Sequence, residues 1–109
     1  MLSYESARLC FESISQSSLN SLRHDLIRLA LAYAQSRAKW YLMGVDEKRD
    51  ADSSRTAAHN ALIDACNILS RNQSKIGEDN SWRETLGDDR KIIGDFACYV
   101  HLFVGLSAR

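Results

Sequence analysis

The residues of this sequence best suited to chemistry lie between positions 55 and 71. There Arg55, His59, Asn60, Asp64, Asn67 and Arg71 interrupt an otherwise apolar helical pattern. Side chains three and four positions apart share a face of an α-helix. Asn60, Asp64, Asn67 and Arg71 therefore form one row, and Arg55, His59, Leu62 and Cys66 form the row beside it. A histidine can act as acid or base near neutral pH, a carboxylate accepts hydrogen bonds or ligates a metal, and an arginine fork clamps anions. The six polar residues are the candidate binding group. The plainer alternative makes Asn60, Asp64 and Arg71 a solvated helix face with i,i+4 pairs, and gives His59 a partner on a neighbouring helix. No residue is assigned a catalytic role.

Other chemistries find less material. Cys98 and His101 stand three apart on one helix face, and His59 and Cys66 could complete a metal set if their helices met. The chain lacks the paired glutamates and Glu-x-x-His motif of a di-iron bundle, so no metal and no cofactor is expected. A nucleophilic cysteine needs a positioned base, and nothing in the spacing brings Cys66 or Cys98 to a histidine. None of the five glycines sits in a phosphate-cradling motif, which excludes P-loop nucleotide hydrolysis. Arg23, Arg28, Arg37, Lys39, Lys48, Arg49 and Arg55, with Trp40 and Tyr41 nearby, give a local positive excess that could meet phosphates. Asp46, Glu47, Asp50 and Asp52 dilute it, and nucleic acid is not the expected partner. Protein contact is the strongest remaining class, with Trp40 and Tyr41 as interface candidates because aromatic side chains are enriched at interface anchors. They could equally cap the core.

The elements that must position these residues are helices. Proline is absent and no strand-like alternation is visible, so helix is permitted almost everywhere. A first helix is predicted after Ser3, ending in the stretch Ser15 to Ser18. A second follows with Ser18 as N-cap, carries Leu22, Leu26, Leu29, Tyr33 and Trp40 at helical spacing, and stops at Gly44. A third runs from near Asp46 to about Ser74. Its first half is almost wholly polar, and its second buries Leu62, Ala65, Cys66 and Leu69. Ser81 to Glu84 has the spacing of a capping box and predicts one helical turn, ended by Gly87, with Trp82 plugging the end of the bundle. The last helix opens at Asp88, with Ile92, Phe96, Tyr99, Phe103 and Leu106 as its seam. Ile93, Ala97, Val100 and Val104 widen that surface. The fold class is therefore all-α: one compact helical-bundle domain over residues 1–109, of about four helices running up and down, with a short extra turn before the last.

Composition fits a globular chain. Of 109 residues, 45% are hydrophobic and 26% charged, a balance unlike that of disordered sequences. Fourteen basic residues offset fourteen acidic ones, so no global field draws nucleic acid or an anionic membrane. No apolar run approaches the roughly 20 residues needed to span a bilayer. The first ten residues lack the pattern of a secretory signal, and a cytoplasmic location is expected. Cys10, Cys66 and Cys98 show no C-x-x-C pairing and read as buried free thiols.

The segment Arg55-x-x-x-His59-Asn60-x-x-Ile63-Asp64, with its arginine-rich lead-in and the aromatic final helix, resembles a small family of uncharacterised all-helical bacterial proteins, mostly from Firmicutes. The resemblance implies a helical bacterial protein and carries no activity. The leading expectation is a non-enzymatic bundle acting through protein contacts, as a homodimer or with another protein, with the third helix at the interface. A small enzyme or ligand-binding protein with a pocket around His59 is the alternative, and a nucleic-acid regulator is the third reading.

Overall fold

With no proline to interrupt it, helix propagates along most of the chain. The computed structural model describes residues 1–107 as five helices: α1 (Tyr4–Ser15), α2 (Asn20–Tyr41), α3 (Val45–Ile76), α4 (Trp82–Leu86) and α5 (Arg90–Ser107). Among the described residues there is no strand, and no helix is long and apolar enough to cross a membrane. The all-α expectation holds, including the short turn of helix before the last.

Local signals set several boundaries. The Ser3 hydroxyl accepts from the Ser6 N–H at 3.1 Å and starts α1. Gly77 ends α3 in the left-handed conformation (φ 77°), and the Glu78 N–H returns to the Gln73 carbonyl at 2.9 Å. That geometry is a Schellman closure, and a Cβ at Gly77 would strain it. The Asp89 carboxylate caps α5 by accepting from the N–H groups of Lys91 and Ile92.

α2 and α3 form an antiparallel hairpin. Trp40 meets Arg55 near the turn, Tyr33 meets His59 further down, and Leu22 and Ile68 line one groove at the far end. α5 crosses α2, where Arg37 pairs with Asp95 at 3.1 Å, and α1 lays Tyr4 and Phe11 against Phe103. Between these helices Ile14, Leu26, Leu62, Leu69, Leu86, Ile93, Phe96 and Val100 are fully buried. Trp82 closes the core as expected, with its indole N–H donating to the Oε1 of buried Gln73 at 2.8 Å. The last buried residue of α2 is Ala34 and the first of α3 is Leu62. The polar first half of α3 therefore carries the tip of the hairpin beyond the main core.

Several local expectations are corrected. Ser18 does not cap α2; its N–H and hydroxyl both donate to the Glu78 carboxylate at 2.8 and 2.7 Å, joined by the Ser17 hydroxyl at 2.6 Å. A bond across sixty residues displaces the cap, and Leu19 takes that position without a side-chain bond. Gly44 does not stop α2 but precedes α3 in an extended conformation, since α2 has already ended at Tyr41. The capping box is absent: Ser81 is itself helical, and its hydroxyl and N–H both donate to Asp79. On α5 Phe96 and Phe103 are buried as expected, with Ile93, Ala97 and Val100 beside them, but Leu106 is half exposed. The buried surface is this broad because α2 and α1 cover α5 from two sides. Cys10 and Cys66 are buried, but Cys98 is exposed beside Arg37.

Candidate interaction surface

The six polar residues of the central segment are distributed by the two rows in which they lie. Arg55 and His59 fall on the row that faces α2. The Arg55 guanidinium lies 3.9 Å from the centre of the Trp40 ring and pairs with Asp52 at 3.5 Å. Lys48 lies 4.6 Å from the same ring, and Tyr41 meets it edge-on. Such cation–π contacts contribute about 0.5–2 kcal/mol each and hold the indole in one orientation. His59 meets Tyr33 edge-on, and its Nδ1 is buried without a partner, as are Trp40 Nε1 and Arg55 Nε. Burial lowers the His59 pKa below the usual imidazole value; the positive charge of Arg90 acts in the same direction, against the weaker opposing influence of Asp88.

The other row turns outward. Asn60, Asp64, Asn67 and Arg71 are exposed. Asn67 is already engaged, accepting from the Arg83 Nε at 2.8 Å, while the rest of that guanidinium ties the Gly87 carbonyl and Asp88. Asn67 thus fastens α4 to α3. Asp64 and Arg71 edge an open groove of about 480 Å³ together with Ile68 and Ser70, all from α3. The structure does not bring Arg55 and His59 to the same place as Asp64 and Arg71.

Positive charge on α2 is similarly divided. Arg23 donates to the Ser17 carbonyl at 2.8 Å and Arg37 is held by Asp95, whereas Arg28 and Lys39 stand on the opposite side. Among the described residues no group of three or more His, Cys, Asp or Glu side chains is placed to hold a metal ion. The Cys66 thiol, pushed up to about 12 mainly by burial, is protonated at neutral pH and a poor nucleophile.

Two further features stand out, each built around one of the aromatic interface candidates, Tyr41 and Trp40. At the hairpin turn Tyr41, Leu42 and Val45 are 61%, 90% and 77% exposed, an apolar group at the end of a two-helix arm. Their adjacency to Gly44 marked the turn, but nothing in the periodicity showed that the turn lies beyond the core. Along the side of the hairpin, two grooves of about 280 and 370 Å³ follow the α2–α3 seam. The first sets the apolar Leu22, Leu29 and Ile68 beside the charged Asp25, Arg28 and Asp64, and the second includes Ala32, Ser36, Lys39, Trp40, Ser54 and Arg55. The chain matches no protein-family model, no curated protein and no solved structure.

Proposed function

We propose that this protein works by protein contact made through the α2–α3 hairpin, with self-association as its first form. The observation that carries the reading is the exposure of Tyr41, Leu42 and Val45 together at the end of the arm. Single exposed apolar residues are ordinary on soluble proteins, but a contiguous group loses hydration free energy until it is covered. Trp40, fixed between α2 and α3 by Arg55 and Lys48, stiffens the arm and lowers the entropy lost on docking. The ligand-pocket alternative is weaker, because Arg55 and Asn67 already serve contacts within the fold.

The test replaces Leu42 and Val45 together by aspartate and follows molar mass by light scattering over a concentration series. The native protein is expected to gain mass with concentration and the variant to remain monomeric, with unchanged helicity. A native protein that stays strictly monomeric to about 1 mM, where association would be worth less than about 4 kcal/mol, refutes the self-association.

A further inference from the structure

The groove along the hairpin has a charge pattern that specifies its occupant. Asp25, Ala32 and Lys39 are spaced by seven residues on α2, two turns apart each time, so they form one nearly straight row. All three are exposed, and all three line the seam grooves. The row therefore carries a negative end, a methyl at its middle and a positive end. Two such rows laid antiparallel across Ala32 place Asp25 of each against Lys39 of the other. A twofold contact requires this kind of self-complementary patch, in which residue i meets residue j and j meets i.

We infer that the occupant of this face is a second copy of the same chain, seated antiparallel with α2 crossing α2 at Ala32. The inference rests on the reading of the hairpin as a contact surface and adds the face, the partner and the register. Size agrees with it. The 22 residues of α2 extend about 33 Å, and two helices about 9 Å apart present a face near 18 Å wide, or roughly 600 Å² per copy. A pair would bury roughly 1,200 Å², the lower end of what stable interfaces use. At the crossing Ala32 and Ser36 on α2, and Ser54 and Ala61 on α3, are small enough for the hairpins to approach closely, while Leu22, Leu29 and Ile68 supply apolar area. Arg28 pairs with Asp25 at 3.8 Å within the chain, but Asp64 of α3 adds a second carboxylate to the same groove, so this end keeps an acidic excess to face Lys39.

The experiment reverses the charges. D25K and K39E each put like charges together at both ends of the crossing, and each is expected to weaken dimerisation about tenfold or more. The double variant D25K/K39E, and an equimolar mixture of the two single variants, restore opposite charges and are expected to recover the dimer mass in light scattering. Circular dichroism confirms that every variant is folded. Weakening without recovery, in both the double variant and the mixture, overturns the register. A native dimer that is indifferent to D25K and K39E but is lost on replacing Leu42 and Val45 overturns the groove contact and leaves the hairpin-tip reading standing. A native monomer at all concentrations overturns both.

Discussion

Replacing Gln73 by methionine tests how the end of the core is held. Trp82 is 2% exposed and Gln73 is 1% exposed, so neither can turn to water, and the indole N–H spends its only hydrogen bond on Gln73 Oε1 at 2.8 Å. Methionine keeps the length and volume of the side chain but removes the acceptor. The buried N–H then loses its partner, at a cost of about 1–3 kcal/mol. In a chain of this size total stability is about 5–15 kcal/mol, so the loss is readily measured by urea unfolding followed by circular dichroism. The companion change, Trp82→Phe, removes the donor and leaves the Gln73 oxygen unsatisfied. In the double variant neither orphan remains, and its destabilisation should fall short of the summed single losses by about 1 kcal/mol or more. Single effects that add to within about 0.3 kcal/mol would refute the reasoning, because they would show that the pair contributes packing alone.

Three other outcomes are expected. Leu62, fully buried on the core-facing side of α3, should cost about 2–5 kcal/mol when replaced by alanine, again read by urea unfolding; a loss below about 1 kcal/mol would contradict its place in the core. Acid should weaken the fold in two windows. Hydrogen bonds from Ser17 and Ser18 hold the Glu78 pKa down at about 2, so its stabilising contribution is present above the ordinary glutamate pKa and is lost as pH falls through about 2. His59 has a lowered pKa, so the unfolded chain takes up its proton first and stability declines as pH drops below the ordinary imidazole value. Glu78→Gln should flatten the first slope, leaving the part due to Glu5, which its hydrogen bond to Arg8 also holds below the usual carboxylate range, and His59→Gln should flatten the second in pH-dependent denaturant titrations; slopes unchanged from the native protein would reassign the groups. Among the thiols, a disulfide reagent at neutral pH should modify exposed Cys98 at once and reach buried Cys10 and Cys66 only on unfolding, as mass spectrometry can count.

The candidate site was legible in part. The row assignment from helical spacing correctly separated Arg55 and His59 from Asn60, Asp64, Asn67 and Arg71. The partners of those residues were not legible, because Arg55 meets Trp40 across the hairpin and Asn67 meets Arg83 across the loop before α4. Trp40 and Tyr41 stand out in the sequence as aromatic, whereas their exposed neighbours Leu42 and Val45 belong to no periodic pattern. The row of Asp25, Ala32 and Lys39 was written in the spacing, but it becomes a surface only once α3 and α5 cover the other sides of α2.

What the sequence determined by itself is the helical class, the approximate spans and the polar first half of α3. These follow from interactions within a few residues: absence of proline, apolar periodicity, the Ser3 cap and the closure at Gly77. Tertiary structure decided that Glu78 takes Ser18 from its capping role, that Leu106 at the end of α5 stays half exposed, and that Cys98 stays outside. Each of these depends on groups far apart in the chain, whose encounter is fixed by how whole helix faces pack and by nothing in the local spacing of either partner.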